Sequence, residues 1–99
     1  MANPNPIGRS SSTIRPAGPR LMMSNVHLLA DEGKAQIAAG ATSLTIDMAE
    51  IDFVDASGIG ALIGLRKRVP DGQVTLINVG GFVATVLKKT KTASLFVLA

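Results

Sequence analysis

Several residue types are scarce or absent in this 99-residue chain, and each absence removes a class of function. There is no cysteine, so disulfides, thiolate metal sites and cysteine nucleophiles are excluded. His27 is the single histidine, which rules out a metal site built from several histidines. Tryptophan and tyrosine are also missing, and only three phenylalanines are present. The sequence therefore predicts no metal site and no cofactor.

Long hydrophobic runs are missing as well. No uninterrupted apolar stretch approaches the roughly 20 residues that a membrane span needs. The N-terminus lacks the hydrophobic core of a signal peptide, because Pro4, Pro6 and Gly8 interrupt it. The 46% hydrophobic composition is enough for one modest core and hence for one domain. We therefore expect a cytoplasmic protein that is stabilised by packing and is not inserted into a membrane.

The formal net charge of +3 is mild, and the positions of the cations matter more than their sum. The cations near predicted helix ends are Arg66, Lys67, Arg68, Lys88, Lys89 and Lys91. Cations at helix C-termini complement the macrodipole, which accounts for most of them. A nucleic-acid surface would interleave basic residues with aromatic ones, and this chain has few aromatics. We therefore interpret the cations as solvated and expect no direct nucleic-acid partner.

The pattern along the chain predicts alternating strands and helices after a disordered leader of residues 1–12, so that residues 13–99 form the folded domain. Ser24 is the expected N-cap of the first helix and Gly40 its C′ residue. The predicted strands are 12–15, 43–48, 51–54 and 73–78, with a short strand or packing segment at 95–98, and the predicted helices are 24–39, 56–69 and 82–90. This alternation predicts an α/β fold with a mostly parallel central sheet of about four to five strands and helices packed on it.

The turn from the predicted strand at 51–54 into the next helix is the most informative feature. It places the hydroxyl of Ser57 beside the carboxylate of Asp55 at the positive end of a helix. Such a site suits an anion, or a serine that acquires one. A simpler interpretation also stands, in which Asp55 or Ser57 is only the N-cap of the helix.

Glycines make this turn unusual. A glycine inside a helix costs roughly 1 kcal/mol relative to alanine, and this helix contains Gly58, Gly60 and Gly64. We therefore expect the sheet or a partner to approach the backbone of this helix closely. The spacing of the glycines is not that of a dinucleotide fingerprint or a P-loop, which leaves a small nucleotide- or phosphate-binding domain as a weaker alternative. A serine hydrolase is excluded, because the only candidate base, His27, lies on a separate helix and the Gly-x-Ser-x-Gly elbow is absent.

The stretch Asp55-Ala56-Ser57-Gly58-Ile59-Gly60 resembles the Asp-Ser-Ser-Gly-Leu-Gly signature of the STAS domain, the family of bacterial anti-sigma factor antagonists. The resemblance extends from about residue 14 to residue 96. It implies a single STAS-like domain without catalytic residues. It further implies that the protein binds an anti-sigma factor with serine kinase activity and that a serine phosphatase reverses the modification.

The resemblance also implies roles for individual residues. The serine that is phosphorylated in such members aligns with Ser57, whereas the first serine of the signature aligns with Ala56. Asp55 aligns with the acidic residue that opens the signature, and it would contribute to recognition by the kinase. The expected partner-binding residues are Asp55, Ala56, Ser57, Gly58, Ile59 and Gly60. An alternative within the same family is a STAS subunit that is not phosphorylated and that scaffolds a membrane transporter or a stress-sensing complex.

Overall fold

The fold consists of parallel strands with helices between them. A computed structural model describes residues 10–99. In chain order the elements are β1 (Ser11–Ile14), β2 (Arg20–Leu21), α1 (Val26–Ala38), β3 (Ser43–Asp47), β4 (Phe53–Val54), α2 (Ala56–Arg68), β5 (Val74–Ile77), α3 (Gly81–Lys89), a 3₁₀ turn (Ala93–Leu95) and β6 (Val97–Leu98). β1, β3, β5 and β6 form one parallel sheet in that order. The predicted α/β class with a parallel sheet is therefore confirmed.

A second, smaller sheet consists of β2 and β4, which pair in parallel. β4 lies within the predicted strand at 51–54, but β2 was not predicted. Two residues are too few for hydrophobic periodicity to be detected. β2 forms because Arg20 lies opposite Phe53 and Leu21 opposite Val54, a pairing between segments more than 30 residues apart.

The start of the domain differs from the prediction. β1 already includes Ser11 and Ser12, which the predicted leader had contained, while residues 1–9 of that leader lie outside the described residues. The backbone oxygen of Ser10 accepts hydrogen bonds from the backbone N–H groups of Thr42 and Ser43, at 2.7 and 3.2 Å. These hydrogen bonds link Ser10 to the start of β3. The strand pairing therefore begins within a segment whose composition resembles that of a linker. β1 lies at the sheet edge, as Pro16 after it predicts.

The core lies between the sheet and the helices. Alternate residues of the central strands are buried, as expected for strands with one face packed against helices. The fully buried side chains include Leu44, Ile46, Val74, Leu76, Leu62, Leu65, Val83 and Leu87, from β3, β5, α2 and α3. Because α2 contributes two of these residues, its position on the sheet is fixed. The turn that precedes it is therefore held firmly.

For α1, the predicted C-terminal end is correct and the predicted N-cap is wrong. Gly40 follows the helix with a φ of 113°, a conformation that glycine adopts readily, so the predicted C-terminal end is confirmed. The N-cap is Asn25 and not Ser24. The Asn25 side chain accepts a hydrogen bond from the Met22 N–H and donates one to the Arg20 oxygen. Both Ser and Asn are favoured caps. The Asn25 side chain makes no capping hydrogen bond to α1, and its contacts with β2 and with Met22 in the following loop place it at the start of the helix.

Candidate functional site

The site predicted from the sequence lies where β4 ends and α2 begins. The N-termini of helices in parallel α/β sheets lie at the edge formed by the C-terminal ends of the strands, where ligands commonly bind. Val54 anchors the end of β4 in the core at 3% exposure, and Asp55 follows with an extended backbone, φ −108° and ψ −175°. The helix begins at the next residue, so the turn is short and its side chains are closely constrained.

Asp55 is the N-cap of α2. Its Oδ1 accepts a hydrogen bond from the Gly58 N–H at 2.8 Å, and its Oδ2 accepts one from the Met23 N–H at 3.2 Å. The Asp55 N–H in turn donates to the Leu21 oxygen at 3.3 Å. One carboxylate therefore caps the helix and holds the loop between β2 and α1 against it. Of the two caps that the sequence left open, the structure selects Asp55.

Ser57 consequently has no capping role. It is the second residue of α2 and is half-buried, and its hydroxyl forms no hydrogen bond with any residue in the range 10–99. The positive end of the helix macrodipole lies beside it and favours a negative charge at this position. The hydroxyl is therefore chemically uncommitted in an environment that stabilises an added anion.

The glycines of α2 fall into two groups. A methyl group on Gly58 would lie 2.5 Å from the Leu21 oxygen. The absence of a side chain at Gly58 therefore allows β2 to approach the helix. Nothing lies within 4 Å of the corresponding position on Gly60 or Gly64. Packing within residues 10–99 thus explains Gly58 only. Gly60 and Gly64 leave a shallow surface on α2 that another molecule could approach closely.

The other predicted partner-binding residues also differ in accessibility. Ala56 and Gly60 are exposed, whereas Gly58 and Ile59 are buried. Ile59 is only 7% exposed and belongs to the core. A partner at this turn could touch Ala56, Ser57 and Gly60 directly, while the buried pair would act by holding the turn in place.

Exposed apolar side chains near the turn were missed from the sequence. Met23, whose N–H binds the Asp55 carboxylate, is 75% exposed. Phe82, at the start of α3, is 53% exposed and stacks on Phe53 of β4, with ring centroids 5.6 Å apart. Large exposed side chains of this kind are enriched at interfaces. No periodicity marks Met23, but an aromatic at a predicted helix start was a signal for Phe82.

A buried carboxylate at the same edge of the sheet was also missed. Asp47 Oδ2 accepts hydrogen bonds from Arg15 Nη2 at 2.7 Å and Nε at 3.1 Å, and Oδ1 accepts from Asn78 Nδ2 and the Ala49 N–H, both at 3.0 Å. The cluster joins residues at the ends of β1, β3 and β5. The hydrogen bond from Asn78 and those from the Ala49 N–H and Arg15 lower the pKa of Asp47. Because its two oxygens accept four hydrogen bonds, the Asp47 carboxylate stabilises the fold.

Two further properties concern the part of the chain that the structure describes. No helix in residues 10–99 is both long and apolar enough to cross a membrane. Within the same residues, no three His, Asp or Glu side chains form a group that could hold a metal ion. His27 is exposed on α1 and shares no hydrogen bond with Ser57.

Comparison with known proteins gives a consistent result. The family model for the STAS domain matches residues 6–99. The fold is similar to that of the anti-sigma factor antagonist SpoIIAA in its unphosphorylated form, with a TM-score of 0.74 and 21% identity over 94% of this chain and 83% of that chain. The phosphorylated form of SpoIIAA, a Bacillus cell fate determinant, gives a TM-score of 0.64 and 18% identity over 89% and 82%.

A transporter-related structure is also similar. The sulfate transporter family protein from Wolinella succinogenes gives a TM-score of 0.66 and 18% identity over 90% of this chain and 71% of that chain. No curated protein sequence matches the chain. At these identities the likeness to solved structures shows the fold and not the activity.

Proposed function

The chain belongs to the STAS domain family, and from that premise we propose that it is an anti-sigma factor antagonist in a bacterial partner-switching pathway. It binds an anti-sigma factor that is also an ATP-dependent serine kinase, and phosphorylation of Ser57 ends the binding. A serine phosphatase restores the free hydroxyl. In this pathway the protein is a cytoplasmic ligand and substrate, and it catalyses no reaction itself.

The observation that carries this proposal is the uncommitted hydroxyl of Ser57. Asp55 already caps α2, so modification of Ser57 removes no hydrogen bond on which the helix start depends. Ala56 and Gly60 on either side are exposed and small, which leaves room for a kinase active site or a binding surface to reach the hydroxyl.

A phosphate on Ser57 would change binding more than folding. It adds about 1.5 to 2 negative charges, which the N-terminus of α2 tolerates because of its positive dipole end. SpoIIAA has been described in unphosphorylated and phosphorylated forms, and both are similar in fold to this chain. In a tight interface the same dianion would be costly to desolvate and would be repelled by any acidic group that the partner places opposite it. The expected result is a binding switch.

The test is a kinase assay followed by binding measurements. Incubation with the cognate anti-sigma kinase and ATP should place one phosphate on Ser57, which mass spectrometry would locate. Ser57→Ala should abolish labelling, whereas Ser94→Ala, at an exposed serine of the 3₁₀ turn, should not. Ser57→Asp should weaken binding about 100-fold or more, because an uncompensated buried charge costs roughly 3–5 kcal/mol. Absence of labelling, together with equal binding by Ser57→Ala and Ser57→Asp, would remove the proposal.

A second candidate is a STAS subunit that scaffolds a membrane transporter or a stress-sensing complex without being phosphorylated. The similarity to the Wolinella sulfate transporter family protein favours it. So does Ala56, which leaves one hydroxyl where the family signature has two. Under this alternative, Ser57→Ala and Ser57→Asp would bind the partner equally well, and the partner would be a transporter or a stress-sensing assembly.

A further inference from the structure

The fold collects six exposed cations at the end of the domain opposite Ser57. α2 and α3 lead into the parallel strands β5 and β6, so both helices end at the edge where those strands begin. Lys34 of α1 joins them, because it lines with Arg68 a cavity of about 360 Å³. We call this surface the basic pole, and it comprises Lys34, Lys67, Arg68, Lys88, Lys89 and Lys91. Two acidic residues lie near it: Asp71, which follows α2, and Asp31, three residues before Lys34 on α1.

The acidic residues are concentrated elsewhere, several of them near the candidate site. On the Ser57 side, Asp47 ends β3, Glu50 and Asp52 lie between β3 and β4, and Asp55 follows β4. α2 connects the two ends, and its 13 residues span about 18 to 20 Å at 1.5 Å each. The domain therefore carries charge of opposite sign at the two ends of one helix.

The cations of the basic pole have no acidic partners within residues 10–99. The one ion pair in that part of the chain joins Arg15 to Asp47 at the other end. Helix macrodipoles explain cations in the last turns of α2 and α3, but Lys34 lies inside α1 and Lys91 lies beyond the end of α3. Six like charges on one surface repel one another, and an external anionic surface would relieve that repulsion.

We propose that the basic pole binds an anionic membrane surface electrostatically, without insertion. A bilayer rich in anionic lipids needs only a clustered basic surface of about four to eight Lys and Arg residues. Single-stranded nucleic acid would need exposed aromatics for base stacking, but Phe96 is buried and the stacked pair Phe53 and Phe82 lies near the opposite end. The cations also belong to three separate helices and to a residue that follows α3, so no single helix presents them to a DNA groove.

Docking in this orientation would direct Ser57 away from the membrane. The serine is at the start of α2 and the basic pole at its end, so a partner could reach the hydroxyl while the domain is on the bilayer. The 18 to 20 Å length of α2 is more than twice the Debye length at physiological salt, which is about 8 Å, so a charge on Ser57 is largely screened from the membrane. Membrane binding should therefore be independent of phosphorylation, and the inference does not depend on the proposed function.

The test is co-sedimentation of the full chain with phosphatidylcholine vesicles that contain or lack 30% phosphatidylglycerol. Binding should require the anionic lipid and should weaken as salt rises. Arg68→Gln should lower partitioning about fivefold, whereas Arg20→Gln, an exposed arginine near the other end, should change it little. The variant with Lys67, Arg68, Lys88 and Lys89 all changed to Gln should lose detectable binding, while its thermal unfolding should show that it remains folded. Ser57→Asp should bind as the original protein does.

Three results would overturn the inference. Equal sedimentation with anionic and neutral vesicles would show that charge is not the cause, and no sedimentation at low salt would show that the basic pole does not bind bilayers. The third concerns nucleic acid. If a DNA or RNA oligonucleotide binds at lower concentrations than the vesicles and the Arg68→Gln change weakens that binding, the anionic partner is a nucleic acid.

Discussion

Alanine substitution at the glycines of α2 should have opposite effects on stability at neighbouring positions. In Gly58→Ala the new methyl group would lie 2.5 Å from the Leu21 oxygen, a backbone atom that can move only if β2 moves. Overpacking of this kind costs roughly 1–3 kcal/mol, and the gain in helix propensity, at most about 1 kcal/mol, offsets only part of it. Because the contact is with a backbone atom, we expect a cost of roughly 2–3 kcal/mol, and hence a net loss of roughly 1–2 kcal/mol in the free energy of unfolding.

Gly60→Ala and Gly64→Ala are the matched controls, because they make the same chemical change in the same helix. Neither methyl group would meet another atom within 4 Å, so only the propensity term remains. Each substitution should stabilise the protein by about 0.5–1 kcal/mol. The three glycines would otherwise be indistinguishable by composition, and the difference in sign follows from the approach of β2 alone.

Urea unfolding followed by far-UV circular dichroism would measure these differences. Unchanged m-values would show that the midpoints report stability and not a change in the unfolded state. In thermal unfolding, 1 kcal/mol corresponds to about 4–8 °C for a domain of this size. If Gly58→Ala is as stable as the original protein, the close approach of Leu21 to α2 does not constrain the fold. If Gly64→Ala is destabilising, the helix surface is not open there.

The remaining predictions concern the two carboxylates at the same edge of the sheet and the exposed aromatic pair. Asp55→Ala should cost roughly 1–2 kcal/mol in urea unfolding, because it removes the N-cap of α2; no loss would mean that Ser57 takes over the cap. The pKa of Asp47 is lowered by folding, so the stability it contributes is present above its unfolded pKa and is lost as pH falls through the folded value. Asp47→Asn should therefore weaken the fold at pH 7 and flatten acid unfolding below about pH 4, and acid-unfolding curves identical to those of the original protein would contradict this. Phe82→Ala should weaken binding to the anti-sigma factor by roughly tenfold with little loss of stability, whereas unchanged binding would place the aromatic pair outside the interface.

Local patterns predicted most of the secondary structure. The stop at Pro70 ends α2, the glycine at Gly40 ends α1, and strict alternation of strands and helices predicts a parallel sheet. Each of these depends on residues close together in the chain, whose conformational preferences act wherever the segment lies. β2 could not be predicted in this way, because its two residues form a strand only by pairing with β4.

At the candidate turn, too, the sequence predicts one part of the structure and tertiary contacts decide the rest. From the sequence, Asp55 and Ser57 were equally acceptable caps. The N–H groups of Gly58 and Met23 select Asp55, and Met23 arrives from 32 residues earlier in the chain. The remaining hydroxyl, on Ser57, is thereby left free. Its availability is a consequence of the tertiary arrangement and not of the signature alone.

By itself, the sequence determined the α/β class, the family resemblance and the position of the strand-to-helix turn, because these follow from periodicity and from a short contiguous motif. Only the tertiary structure decided which glycine is packed and which are open, how Arg15, Asp47 and Asn78 meet, and where the scattered cations gather. Those properties depend on distances between segments far apart in the chain. Such distances are set by how the helices pack on the sheet, and they cannot be predicted from the conformational preferences of single residues.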